Sequence, residues 1–130
     1  MPRIWVNEGP AVLFHEDKLF ISYSASATDE NYCMGLLWID MNADPQNPAN
    51  WHKASRPVFR TSVENRQFGP GHNSFTQTPE GEDVLVYHAR NYTEIEGDPL
   101  YDPNRHTRLK HVRWDENGMP DFGIPPADTL

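Results

Sequence analysis

The chain has 130 residues, 37% of them hydrophobic and 12% aromatic, so we expect one folded domain with a core of ordinary size. Its formal net charge of −8 argues against a nucleic-acid partner, because phosphate backbones are bound by basic surfaces. No apolar run approaches the ~20 residues of a membrane-spanning helix and no signal-peptide segment is seen, so we expect a soluble protein without a membrane partner.

The first sixty residues predict a small antiparallel sheet of about four strands. Gly9-Pro10 is expected to end the first apolar segment, and a polar turn at residues 15–18 indicates a hairpin. Residues 44–51 contain two prolines and three Asx residues, which is typical of a loop. The predicted strands lie at residues 4–6, 11–14, 19–24 and 32–39, with an edge segment at 53–59.

A second series of strands follows in the remaining residues. Residues 83–89 (DVLVYHA) predict a buried strand, and residues 107–114 alternate polar and apolar side chains, as a strand with one wet face does. The other predicted strand covers residues 72–78, and the tail after residue 119 is too rich in proline for a core strand, so we expect it to pack across a sheet edge.

No segment of ten or more residues has a helical period, so we predict an all-β fold. Two sheets, at approximately residues 4–59 and 68–124, follow each other at a spacing of about 60 residues, which suggests two blades of a β-propeller. A sandwich of the two sheets is the alternative, and the pattern alone leaves both open.

The first candidate for chemistry is Glu8, which lies between an apolar segment and the turn at Gly9-Pro10. With Trp5 and Phe14 nearby in sequence, apolar surroundings could raise its pKa, as a general acid at neutral pH requires. The competing interpretation is a solvated loop glutamate.

Two further candidates are His72, in the tight "QFGPGHNS" segment, and Arg105, in a loop directly before a predicted strand. A histidine there can be a metal ligand, an anchor for water or a buried hydrogen-bonded residue. No other histidine has zinc-like spacing to it, whereas a cation that prefers oxygen ligands is compatible. The Arg105 guanidinium can hold hydroxyl groups or a carboxylate, or it forms a surface ion pair.

Two other kinds of reactive residue give no support for catalysis. The single cysteine, Cys33, cannot form an internal disulfide and has no activating neighbour in sequence, so we interpret it as a half-buried strand thiol. The serines at positions 22, 24 and 74 lack the G-x-S-x-G setting of a serine hydrolase.

Three linked stretches of the chain resemble glycoside hydrolase family 43, in its α-L-arabinofuranosidase and β-xylosidase branch. In chain order they are "NEGPAVLFHEDKLFISYSAS", "FGPGHNSF" with "EDVLVYHAR", and "DPNRHTRLKHVRWDENGMPDFGIP". The resemblance covers essentially the whole chain and matches the C-terminal portion of that family's catalytic domain. It implies a partial five-bladed β-propeller of about two antiparallel blades, and hydrolysis of arabinofuranosyl or xylosyl linkages in plant cell-wall saccharides with inversion.

The same resemblance implies roles for individual residues. Glu8, in the E-G-P motif, corresponds to the general acid, and His72, in G-P-G-H, to a residue near a central cation that is often calcium. Arg105 corresponds to a positively charged residue close to the sugar, and Trp5 is expected to contact the saccharide as well.

The chain departs from the family in one respect that concerns the mechanism. The family's aspartate base and a second aspartate precede the matched portion, whereas inversion needs two carboxyl groups roughly 6.5–9.5 Å apart. The aspartates at positions 29, 98 and 102 match no base motif. We therefore expect either a glycosidase completed by other residues, with homo-oligomerisation covering the exposed sheet faces, or a carbohydrate-binding half-propeller without turnover, or a scaffold for assembly.

Overall fold

The computed structural model describes residues 3–129 and confirms an all-β protein with antiparallel sheets. Its regular structure is almost entirely strand, apart from two three-residue 3₁₀ turns at Pro48–Asn50 and Pro99–Tyr101. The strands are β1 (Val6–His15), β2 (Lys18–Ser26), β3 (Cys33–Asp40), β4 (His52–Lys53), β5 (Phe68–Gln77), β6 (Asp83–Arg90), β7 (His106–His111), β8 (Arg113–Trp114) and β9 (Pro120–Asp121).

The first sheet has four strands, in the order β1-β2-β3-β4, but the predicted strands at residues 4–6 and 11–14 form the single strand β1, and the fourth strand comes from the predicted edge segment. The prediction that Gly9-Pro10 ends the first strand is wrong, because β1 starts at Val6 and continues through this pair to His15. The pairing with β2 shifts between Glu8 and Ala11, and Gly9 has a φ of 61° there. A bulge in an edge strand can accept both a left-handed glycine and a proline without a donor.

The second sheet has three strands in the order β5-β6-β7. Strand β5 starts at Phe68, four residues before the predicted start, because two irregularities in its pairing with β6 accommodate the glycines and proline of this segment. The predicted strand at residues 107–114 is divided at Val112, whose N–H donates to the carbonyl of Asp83. After this break β8 pairs with β9 in a separate two-stranded ribbon.

One hydrophobic core receives side chains from both sheets. Phe59 meets Tyr87 edge to face with ring centroids 4.8 Å apart, and Phe122 from the tail is 1% exposed in the same cluster. The core also contains Leu13, Phe20, Met34, Leu36, Leu85, Ala89 and Val112. The tail therefore contributes to the core itself as well as to the surface.

Strand β5 packs against strands β1, β2 and β3 of the first sheet, so β1 and β5 lie side by side although they belong to different sheets. This contact places the "EGP" and "GPGH" segments next to each other. Cys33 is half-buried at the start of β3, as predicted, and burial raises the pKa of its thiol. Over residues 3–129 no helix has the length and apolar character needed to cross a membrane.

Candidate functional site

Glu8 lies on β1, opposite Ser24 of β2, so it is a strand residue and not a loop glutamate. Its side chain is 39% exposed, and its Oε1 accepts a hydrogen bond of 2.8 Å from the Tyr32 hydroxyl. Trp5 and Phe14 are 71% and 56% exposed. The contacts of the carboxylate are therefore polar, and the apolar surroundings expected from those two side chains are not observed.

His72 stands next to Glu8, with 3.8 Å between its Nδ1 and Glu8 Oε1. Its backbone has a φ of 45°, unusual for a residue with a side chain, and its N–H donates to Ser24 Oγ at 2.6 Å. A Cβ on Gly9 would lie 3.3 Å from His72 Cγ, so the glycine of the E-G-P motif gives the imidazole its space. The structure thus brings two sequence-predicted residues together.

Tyr32 is a member of the site that the sequence did not reveal. It is 1% exposed, and its ring stacks on His88 with the centroids 5.8 Å apart. A Cβ on Gly71 would lie only 2.4 Å from the Tyr32 ring, so this position accepts glycine alone. Burial raises the pKa of the Tyr32 phenol well above its ordinary value, and the neighbouring Glu8 raises it further.

His88 of β6 is a second residue that the sequence did not single out. It pairs with Gly71 across the sheet, and its ring centroid is 6.3 Å from that of His72. Burial lowers the pKa of His88 to about 4, and the positive charge of Arg105 and the imidazole of His72 lower it further. Its Nδ1 is buried and has no hydrogen-bond partner among the described residues, so His88 is a neutral member of this cluster at pH 7.

Arg105 reaches the same cluster through its charge. It lies directly before β7, and its Nη2 donates to the carbonyl of Leu100 at 3.2 Å. The positive charge of the guanidinium lowers the pKa of His88 and opposes the rise in the pKa of Tyr32. Trp5 lies outside β1 and points its ring largely into solvent, without a recorded contact to this cluster.

The three aspartates considered as a second acidic group are engaged elsewhere. Asp29 is 2% exposed and pairs with Arg3 Nε at 3.2 Å, and Asp98 accepts from the N–H of Leu100. Asp102 accepts from Tyr92 and from the buried Arg90. Each carboxylate therefore has a structural task in the folded chain.

The described residues do not form a calcium site by themselves. Among residues 3–129 no group of three or more histidine, cysteine, aspartate or glutamate side chains is arranged to hold a metal ion. Calcium takes 6–8 oxygen ligands, and among the described residues Glu8 is the carboxylate beside His72. His72 as a ligand of a central cation stays a prediction.

Comparison with known proteins gives one family. The model of the family described as glycosyl hydrolases family 43 matches residues 1–120. The chain is 60% identical over 126 residues to an extracellular exo-alpha-(1->5)-L-arabinofuranosidase of Streptomyces avermitilis, and 53% identical over 124 residues to alpha-L-arabinofuranosidase 43 of Humicola insolens. These matches cover 96% and 95% of the chain but 26% of each relative, so the chain spans about a quarter of their length.

A solved structure matches the fold closely. The crystal structure of alpha-L-arabinofuranosidase from Lactobacillus brevis superposes with a TM-score of 0.92 at 54% sequence identity. The superposition covers 96% of this chain and 39% of that protein. Both sheets and their mutual packing are therefore shared with a larger protein.

Proposed function

The chain belongs to glycosyl hydrolases family 43, and from that membership we propose that it forms part of a glycosidase that releases arabinofuranosyl units from plant cell-wall saccharides. Arabinofuranosyl is preferred over xylosyl because the relatives at 50–60% identity carry arabinofuranosidase names. The observation that carries the proposal is the Glu8 carboxyl group, which is partly open to solvent, accepts a hydrogen bond from Tyr32 and lies beside His72 at the contact of the two sheets.

In this proposal Glu8 is the general acid. Its carboxyl group gives a proton to the glycosidic oxygen while the bond from that oxygen to the anomeric carbon breaks. A water molecule attacks the anomeric carbon from the opposite face and loses its proton to a base, so the sugar leaves with inverted configuration. The base and its partner carboxyl group are recruited from elsewhere in the chain or from another subunit, since Asp29, Asp98 and Asp102 are held by structural contacts.

The other predicted site residues have supporting roles in the proposal. Arg105, whose charge reaches the cluster, binds sugar hydroxyl groups near Glu8, and Trp5 offers an exposed indole on which a saccharide ring can stack. His72 holds the cluster through Ser24 and serves as one contact of a channel cation, should calcium bind when the remaining ligands are present.

We further propose that the two sheets are adjacent blades of a five-bladed propeller that is not complete within this chain. The outer face of the first sheet exposes Val12 (49%) and Phe14 (56%), as expected for a face that another blade covers. When the chain is isolated, we expect a second copy of it to cover this face. A solution mass equal to one chain under dilute conditions would contradict this homo-oligomer.

The alternative function is a carbohydrate-binding half-propeller without turnover. What favours it is that Asp29, Asp98 and Asp102 are occupied by structural contacts, which leaves Glu8 without an assigned base. Such a protein would keep sugar contacts at Trp5, His72 and Arg105.

Hydrolysis of nitrophenyl α-L-arabinofuranoside and nitrophenyl β-xyloside separates the two functions. Removing the acid in Glu8→Gln should lower kcat by about 10²–10⁴-fold. The matched control is Glu80→Gln, an exposed glutamate in the turn after β5, which should leave kcat unchanged. Saccharide binding without hydrolysis in the wild type would favour the alternative, and full activity in Glu8→Gln would exclude Glu8 as the acid.

A further inference from the structure

The Tyr32 hydroxyl is the donor nearest to the carboxylate of Glu8. The O–H donates to Oε1 at 2.8 Å, whereas His72 Nδ1 is 3.8 Å from the same oxygen, beyond hydrogen-bond distance. Oε1 is therefore an acceptor that is already occupied, whereas Oε2 makes no hydrogen bond or ion pair with the side chains of residues 3–129. The two carboxylate oxygens of Glu8 are not equivalent.

Strands β5 and β6 restrict the Tyr32 ring. A Cβ on Gly71 of β5 would lie 2.4 Å from Tyr32 Cε2, and the imidazole of His88 from β6 lies parallel to the ring. Gly69, with a φ of 64°, packs against the turn that leads into Tyr32, since a Cβ there would lie 2.2 Å from the carbonyl oxygen of Asp29. A ring that is 1% exposed and confined in this way cannot turn its hydroxyl away from Glu8 without repacking.

We propose that Tyr32 is a positioning residue, which occupies Oε1 of Glu8 and so directs the transferable proton to Oε2, facing the leaving group. A proton on Oε1 would point at the proton of the Tyr32 hydroxyl, so the occupied acceptor disfavours that arrangement. The inference rests on the proposed role of Glu8 as general acid and adds how that acid is oriented. Tyr32 itself does not touch the saccharide.

The test is Tyr32→Phe, which removes the hydroxyl and keeps the ring between Gly71 and His88. An oriented acid matters most when the leaving group needs its proton, and nitrophenolate needs little help. We expect kcat/KM to fall about 10- to 100-fold for an alkyl α-L-arabinofuranoside and less than about threefold for the nitrophenyl compound.

Tyr87→Phe is the matched control. Tyr87 is 2% exposed, and its hydroxyl is buried with no hydrogen-bond partner among the described residues, so the same atom is removed without any contact to Glu8. It should leave the ratio of the two rates unchanged. Equal losses of Tyr32→Phe on both substrates, or the same pattern in both variants, would overturn the proposal.

A second readout needs no turnover. The ¹³C resonance of the ζ-carbon of labelled Tyr32 reports on the acceptor of its hydroxyl, so it should shift in Glu8→Gln while the Tyr87 resonance stays in place. An unshifted Tyr32 resonance would also overturn the proposal. If the wild-type chain hydrolyses neither substrate, the proposed function fails, and the resonance alone decides whether Tyr32 orients Glu8.

Discussion

Replacing Arg90 by methionine tests whether its buried guanidinium holds the two sheets together and keeps the loop before Arg105 in position. Arg90 is 2% exposed at the end of β6, and its Nη1 and Nη2 donate to the carbonyls of Thr28 and Pro99, both at 2.7 Å. Its Nε is 3.4 Å from Asp102 Oδ1. One guanidinium thus ties a connection of the first sheet to the loop that follows β6.

The magnitude follows from the burial of this charge. Burial lowers the pKa of Arg90, opposed by the carboxylate of Asp102, and the three contacts offset the free-energy cost of burying this cation. Hydrogen bonds to charged groups contribute about 1.5–3 kcal/mol each, and removing one partner of a buried ion pair costs about 3–5 kcal/mol. Methionine fills much of the volume of the arginine side chain but leaves the Asp102 carboxylate and the carbonyls of Thr28 and Pro99 without this hydrogen-bond donor.

The free energy of unfolding, measured by urea titration at pH 7, should fall by about 3–5 kcal/mol in Arg90→Met, and Tm by about 10–20 °C. Arg60→Met is the control, because Arg60 is exposed and such substitutions stay within about 0.5 kcal/mol. A loss below about 1 kcal/mol in Arg90→Met would refute the reasoning. It would show that the guanidinium contributes no more than a surface charge.

Two further predictions concern the cluster around Glu8. Gly71→Ala should lower the free energy of unfolding by about 1–3 kcal/mol, because its Cβ would lie 2.4 Å from the Tyr32 ring. The control is Gly81→Ala, whose Cβ would meet no atom within 4 Å and which should cost about 1 kcal/mol because Gly81 has a φ of 86°. Thermal unfolding compares the two variants, and equal losses would contradict the steric argument. His88 has a pKa of about 4 in the folded chain and about 6.5 in the unfolded chain, so the unfolded chain takes up the proton first as the pH falls. Up to about 3 kcal/mol of stability that is present above pH 6.5 is therefore lost as the pH falls to 4. In His88→Phe the free energy of unfolding, measured by urea titration, should depend less on pH over that window.

The fold could be predicted from the sequence wherever a run of strand-forming residues lies between turn signals. Strands β2, β3 and β6 start and end within two residues of their predicted bounds, since each is a short apolar run of this kind. The prediction failed where glycine and proline occur inside an edge strand. Gly9-Pro10 and the glycines before His72 mark bulges and not ends, and only the pairing with the neighbouring strand distinguishes the two.

The site could be predicted in part, for a similar reason. Glu8 and His72 stand beside glycines that need close backbone approach, and this local signal is visible in the sequence. Tyr32 is 24 residues from Glu8, and His88 is 16 residues from His72, in a strand that reads as plain core. Their part in the site arises from the docking of one sheet on the other, which no local pattern encodes.

The segments around Gly9-Pro10 and around Gly71 therefore have the same structural role, one in each sheet. Gly9 leaves room for His72, which comes from β5, and Gly71 leaves room for Tyr32, which lies in the connection between β2 and β3 of the first sheet. Each bulge lets its edge strand approach a side chain of the other sheet, so the carboxylate of Glu8 is fixed only when both sheets are packed together. The geometry of Glu8 is thus a property of the contact between the sheets, and a change that loosens that contact should disturb Glu8 before it unfolds either sheet.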